Sequence, residues 1–339
     1  MLLMMVDRPT VDEKRPLLHW LLQQFPDTPK TRAKQWIQAG RVRIGGVVFR
    51  QANHLLDDPG NTLELMQRQS TTLDCGTSWQ IHPRLALVYL DSALAVVNKG
   101  PGLISIPAPN CEISALSILA DFLKGKLKPR DRGKSLPAVY RKLEPLPVHR
   151  LDQYTTGLFC MASSAEARTH LIDQVKSHSM GREYISFVEG RAPNPKGTWR
   201  HWLQLNGDGL RQRIVGRGRA AASSDAQEAI THYEVLAEYL LSEAKAVVTK
   251  LRLRLETGRK HQIRVQAASE GLPLIGDRTY NPNYRGTSGA ALIAFPRQAL
   301  HSHVLTLEHP EQQGRKMTWT ADLPKDLREL EAALRSRRI

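Results

Sequence analysis

The chain has 339 residues, of which 41% are apolar and 24% charged, with three cysteines. That length allows roughly two domains with a sizeable core, and the composition is that of an ordinary soluble protein. No run reaches the roughly 18 apolar residues of a membrane span. Met1–Val6 is apolar, but Asp7 interrupts it and no small-residue cleavage site follows, so no signal peptide is expected. Cys75, Cys111 and Cys160 form no C-x-x-C pair, which excludes a disulfide framework or cysteine zinc site and fits the cytoplasm.

Charge narrows the partners. Forty-eight Lys and Arg against 33 Asp and Glu leave a formal +15. Residues 121–150 and 196–219 together hold +11 of it, so the excess is local rather than spread. Concentrated basic surface attracts polyanions, nucleic acid first.

In chain order, Thr28-Pro29 opens a predicted helix as N-cap and first helical residue. Ala33, Trp36 and Ile37 form its apolar face and Gly40 stops it. Lys30, Arg32 and Lys34 crowd its N-terminal half, where the helix dipole disfavours cations. The basic strand Arg41–Ile44, with Arg41 and Arg43, follows directly, then a Gly45-Gly46 turn into Val47–Phe49 and a last strand near Thr62–Leu65. An external anion lying across this face would explain the placement of all five cations. Residues 66–82 read as a linker. Beyond it, short apolar runs at Leu85–Leu90 and Leu94–Val97 precede a helix over Ser114–Leu123. Asn206–Gly209 marks a hairpin between Trp202–Leu205 and Arg211–Val215. The mixture predicts an α+β domain with a largely antiparallel sheet.

Two segments carry chemistry. His149-Arg150-Leu151-Asp152-Gln153-Tyr154-Thr155-Thr156-Gly157 is a turn-rich piece with a carboxylate two residues from an arginine. Alone, such an aspartate more often caps a turn than reacts. Thr257-Gly258-Arg259-Lys260-His261-Gln262-Ile263-Arg264 gathers cations and polar groups suited to phosphate and base contacts. His301, His303 and His309 are read as structural or RNA-facing rather than as metal ligands, and no metal or other cofactor is expected.

These two segments resemble the H-R-L-D-x-x-T-S-G and G-R-T-H-Q-I-R blocks of the pseudouridine synthases related to RluA. Further blocks align in order: Leu87–Lys99 with Gly102-Leu103, Arg182–Gly190 with Tyr184, Ala229–Leu236, Gly276-Asp277 with Tyr280, Arg297–His301, His309-Pro310 and Leu323–Leu327. Thr156 stands for the usual Ser, Lys260 for Thr, Gln266 for His, and Gly100-Pro101 for Pro and a small residue. Residues 16–65 resemble an S4 RNA-binding domain, with Gly45-Gly46 for its usual Asn-Gly and Gly60-Asn61 for its Gly-Asp.

The resemblance implies an S4-like RNA-binding domain over 1–68, a linker over 69–82, a synthase domain over 83–330 and a basic tail over 331–339. It implies a mixed, largely antiparallel sheet with flanking helices, plus a small N-terminal α/β domain. The activity implied is isomerisation of uridine in structured RNA, ribosomal RNA ahead of tRNA, by a monomer. Asp152 would be the catalytic carboxylate, either adding covalently or taking a proton from the ribose. Arg264 would be its ion-pair partner and Tyr184 the aromatic stacked on the base. Arg150 would fill the space left by a flipped nucleotide and Leu300 would line the base pocket. Arg259, His261, Gln262, Lys30, Arg32, Lys34, Arg41 and Arg43 would contact RNA. The competing reading is a non-catalytic RNA-binding or ribosome assembly factor, from which loss of Asp152 would be expected. A glycosidase would need a second carboxylate, and none stands between Glu144 and Glu166 beside Asp152.

Overall fold

The computed structural model describes residues 14–38, 40–66, 78–109, 111–130, 136–207, 209–218, 225–241, 246–284 and 293–336. Met1–Val6, Cys75, the expected linker as far as residue 77, Asp208 and residues 337–339 lie outside the described residues. The chain divides into two compact units, Met1–Ser70 and Thr71–Ile339.

The first unit runs β1 (Arg15–Pro16), α1 (Leu17–Gln24), α2 (Lys30–Gln38), β2 (Val42–Ile44), β3 (Val47–Phe49), β4 (Leu55–Leu56) and β5 (Leu63–Leu65). β3, β2 and β5 form one antiparallel sheet, and β1 pairs with β4. Ala33 and Ile37 of α2 bury against Leu17, Leu21, Val42 and Leu63. The helix begins at Lys30, one residue after the expected start; the Pro29 carbonyl accepts the Ala33 N–H at 3.1 Å, so the difference is one of end definition. Gly45 and Gly46 both have positive φ, 54° and 84°, which the tight turn between twisted strands requires. Two cations lie over Trp36: Arg32 and Arg41 are 5.7 and 5.5 Å from its ring centroid. Lys30, Arg32 and Lys34 are exposed, and Arg41 and Arg43 half-buried.

The second unit is built on a twelve-stranded sheet. Its elements are β6 (Trp79–His82), β7 (Leu85–Leu90), β8 (Leu94–Lys99), α3 (Ala115–Leu123), β9 (Leu146–Pro147), β10 (Thr156–Ala162), α4 (Ala165–Lys176), β11 (Gly181–Glu189), β12 (Lys196–Leu205), β13 (Gln212–Val215), β14 (Gln227–Leu241), β15 (Ala246–Leu255), α5 (Gln262–Ser269), β16 (Leu300–Glu308), β17 (Lys316–Thr320) and α6 (Lys325–Ser336). The strand order is β13-β12-β14-β15-β11-β16-β10-β8-β7-β6, with β17 beside β16 and β9 beside β10. The sheet is mixed and largely antiparallel: β10 and β16 run parallel, Thr156 opposite His301 and Gly157 opposite Ser302.

β7, β8 and β10 read as nearly continuous apolar runs because both their faces are covered. Phe122 and Leu119 of α3 pack on one face with Leu87, Val97 and Phe159; Ala167 and Leu171 of α4 pack on the other with Val96 and Leu158. Ser114 caps α3 and Ser164 caps α4, each side chain accepting a backbone N–H of the first turn. Where β10 meets β16, Gly157 has φ of 110°, and an added Cβ would run into the Ser302 carbonyl. Only glycine permits that approach.

Two boundaries differ from expectation. The expected linker to residue 82 ends earlier, because Trp79–His82 pairs with β7 and buries Trp79 and Ile81. The expected tail from 331 is helical through Ser336: Leu327, Leu330 and Leu334 bury beside Phe187, and Glu331 binds Lys250 at 2.9 Å.

Candidate active site

The segment between β9 and β10 has little regular structure, yet its backbone is held from several sides. Ser105 Oγ donates to the Leu151 carbonyl at 2.8 Å and accepts its N–H at 2.9 Å. Lys99 Nζ donates to the Gln153 and Gly100 carbonyls, both at 2.9 Å. Arg297 Nη1 donates to the Tyr154 carbonyl at 3.1 Å, and Asp326 anchors that arginine at 2.7 and 3.0 Å. Backbone groups that would otherwise move with a loop are thus tied to the sheet, and Asp152 sits on a fixed base.

Arg264 projects from α5 toward it. Nη1 reaches Asp152 Oδ2 at 3.2 Å, while Nε and Nη2 bind Asp277 at 2.6 and 2.8 Å. Asp277 is fully buried and also accepts the N–H groups of Thr279 and Tyr280. Burial works against the Arg264 charge, but Asp277 and then Asp152 outweigh it and raise its pKa further. Gly276 makes the turn before Asp277: its φ is 75°, and a Cβ there would meet the Arg297 carbonyl. Tyr280 lies under the Arg264 guanidinium, 5.2 Å from ring to Cζ, and its hydroxyl meets His261 Nδ1 at 3.0 Å.

A cleft of about 200 Å³ opens over these groups. All eight residues of this unit expected in the site line it: Arg150, Asp152, Tyr184, Arg259, His261, Gln262, Arg264 and Leu300. Tyr184 and Leu300 are buried, Arg150 and Arg259 exposed at its edge. Burial raises the Tyr184 phenol; Arg182 and Ser302 lower it, and Asp152 raises it again, leaving it protonated near neutrality. His261 stands 4.0 Å from Asp152. Burial pushes its imidazole down to about 4 despite Asp152, with Arg264 and Lys260 adding to the effect, so it is neutral at pH 7.

One expected RNA contact is corrected. The Gln262 amide faces inward: its oxygen accepts from Thr257 Oγ1 and the Arg259 N–H at 2.8 and 2.9 Å, and its nitrogen donates to the Ile230 carbonyl and Thr231 Oγ1 at 3.0 and 2.9 Å. With its amide fully engaged, Gln262 ties the start of α5 to β14 rather than facing a ligand.

The three C-terminal histidines are also engaged. His301 meets Thr156 Oγ1 and the Ala321 carbonyl, His303 the same carbonyl, and His309 Nε2 the buried Asp91 at 2.6 Å. No group of three metal-ligating side chains is found among the described residues. Lys30, Arg32, Lys34, Arg41 and Arg43 belong to the first unit. Sequence reasoning passed over Asp277, Lys99 and Arg297 as functional positions. Gly276-Asp277 was visible as a block, but nothing in the spacing names Arg264 as its partner.

The RNA pseudouridylate synthase family matches residues 93–269, a little over half of the chain. The sheet and cleft are accordingly those of a uridine isomerase, and the chain belongs to the RNA pseudouridylate synthase family. It is 32% identical over 323 residues to "Ribosomal large subunit pseudouridine synthase D" of Pseudomonas aeruginosa, covering 93% of this chain and 91% of that protein. It is 30% identical over 330 residues to the protein of the same name from Escherichia coli strain K12, at 93% and 89% coverage. Among solved structures, "Human RNA Pseudouridylate Synthase Domain Containing 4" shares the fold, with a TM-score of 0.54, 21% identity, and coverage of 74% of this chain and 92% of that one.

Proposed function

We propose that this chain converts a uridine of large-subunit ribosomal RNA to pseudouridine, with Asp152 acting on the target nucleotide. The observation that carries the reading is the Asp152–Arg264–Asp277 array at the cleft, in a chain similar over most of its length to proteins named for that activity.

Isomerisation breaks the C1′–N1 bond, turns the base and joins C1′ to C5, after which the C5 proton leaves. A carboxylate starts this by attacking covalently or by removing a ribose proton, and both routes need it ionised beside the sugar. Arg264, itself fixed by Asp277, holds Asp152 in that state in a cleft that a base would dry. Tyr184 stacks on the base and keeps a proton available for transfer, and Leu300 closes the pocket floor. His261 is neutral at pH 7, so it contributes a hydrogen bond rather than a charge. A base inside an RNA stem must leave its stack to reach this depth, and Arg150, exposed at the rim, fills the gap.

The first unit serves as an S4-like RNA-binding domain over residues 1–68, joined by a linker to a synthase domain that includes α6 as far as Ser336. Lys30, Arg32, Lys34, Arg41 and Arg43 bind RNA phosphates, and Arg259 does so at the cleft. The enzyme acts as a monomer in the cytoplasm; no helix among the described residues is long and apolar enough to cross a membrane. Mapping pseudouridines in ribosomal RNA and tRNA from cells with and without the gene tests the assignment. Loss of one large-subunit site is expected. An unchanged ribosomal map with a site lost from tRNA would redirect the target.

A further inference from the structure

Arg182 lies on β11 two residues before Tyr184, so both side chains leave the same face of the strand, and both line the cleft. Arg182 is 3% exposed. Its Nε has no hydrogen-bond partner, and Nη2 makes one long contact, 3.5 Å to the Glu256 carbonyl. Among the described residues no carboxylate lies within ion-pair distance of it, whereas the buried Arg264 and Arg297 are each held by an aspartate through two nitrogens. The backbone makes room for it: a Cβ on Gly258 would collide with Arg182 Nη1.

The titratable groups around it supply no counter-charge. Burial, then Arg182, pushes His149 down to about 3, and burial pushes the Cys160 thiol up to about 12 and raises Tyr184. Each is neutral near pH 7. A guanidinium taken out of water without a partner is costly, and the cost is relieved if a ligand brings the missing charge.

We propose that Arg182 is a substrate-binding residue that receives the phosphodiester adjoining the target uridine. This rests on the proposed uridine isomerisation and names a further contact within that site. A phosphate fits better than the detached uracil for two reasons. The guanidinium presents a planar fork of N–H donors that matches two phosphate oxygens. A phosphodiester is also permanently anionic, so it offsets the buried cation from the moment of binding, whereas uracil is charged only while its bond is broken.

The test combines a variant with a neutral linkage. A ribosomal RNA fragment that the wild-type enzyme modifies is prepared with a methylphosphonate on either side of the target uridine, and KM and kcat are measured for wild type and Arg182→Gln. At one linkage the wild-type KM should rise about 10-fold, and Arg182→Gln should treat modified and unmodified RNA alike. An equal methylphosphonate penalty in both proteins overturns the proposal. So does a fall in kcat with KM and that penalty unchanged, which assigns Arg182 to the uracil anion. Should Arg182→Gln fail to fold, the neutral Arg182→Met replaces it: a penalty equal to the wild type's overturns the proposal, and a smaller one supports it. Wild-type turnover on unmodified RNA is scored first. Its absence would count against the isomerase reading, while turnover without coupling would count against Arg182 alone.

Discussion

Asp277 grips Arg264 at two points, Oδ2 to Nε at 2.6 Å and Oδ1 to Nη2 at 2.8 Å, leaving Nη1 to meet Asp152 at 3.2 Å. The cation that faces Asp152 is therefore set in place before any substrate arrives, and no rearrangement is needed to create it. Asp277 itself is fully buried, and among the described residues the other hydrogen bonds to its side chain come from the N–H groups of Thr279 and Tyr280.

Removing that anchor should cost both stability and turnover. Asp277→Ala leaves a buried arginine with one acidic partner, a loss of about 3–5 kcal/mol for a broken buried pair. Urea unfolding checks the figure, and kcat should fall at least as steeply as for other losses of fixed charge. A variant with wild-type stability and turnover would show that Asp152 alone suffices to hold Arg264.

Lys99 gives stability a pH dependence of defined sign. Burial, then Arg297, pushes its ammonium down to about 7, against the opposing pull of Asp152. Its folded pKa lies below the unfolded value of about 10.4, so the fold penalises the charged form. The penalty is absent above the unfolded pKa, grows as pH falls, and is complete below about pH 7. Lys99→Met should therefore gain stability relative to wild type as pH drops through that window. A stability difference that stays constant across it contradicts the assignment.

The neutral His261 predicts the shape of the pH–rate profile. An imidazole pushed down to about 4 does not titrate in the ordinary histidine range, so kcat/KM should show no break near its usual pKa from this group. The measurement is kcat/KM against pH for wild type and His261→Ala. An acid limb near pH 6.5 that the alanine variant abolishes would place a protonated His261 in the reaction.

For the N-terminal unit, the triple alanine variant at Lys30, Arg32 and Lys34 should weaken RNA binding. It should also flatten the dependence of binding on salt, since each phosphate contact releases about 0.9 counterion on duplex. The effect belongs in KM with kcat at saturation unchanged, and deleting residues 1–70 should do the same more strongly. Wild-type affinity and salt slope in the triple variant would mean that these exposed cations face solvent.

Legibility in the sequence followed locality. The hairpin at Asn206, the capped helix at Ser114 and the Gly45-Gly46 turn depend on neighbours within a few residues, and each was readable. The parallel contact of β10 with β16 joins residues about 145 apart, and no periodicity reports it. Strand β6 was taken for linker because its four residues end a stretch rich in Gln, Ser, Thr and Gly, too short a run for the inward Trp79 and Ile81 to stand out. Within the site, Asp152 stood out by its motif. Asp277 did not, because its partner is chosen by how α5 packs, and Gln262 misled because a polar residue beside cations looks like a ligand contact until its amide is seen to be engaged.

The central claim is that Asp152 performs the chemistry, and Asp152→Asn tests it most directly. The change is nearly isosteric, so the variant should fold, keep its affinity for RNA and form no pseudouridine above background in a purified assay. Measurable turnover by a pure Asp152→Asn protein, on RNA that the wild type modifies, would contradict the account.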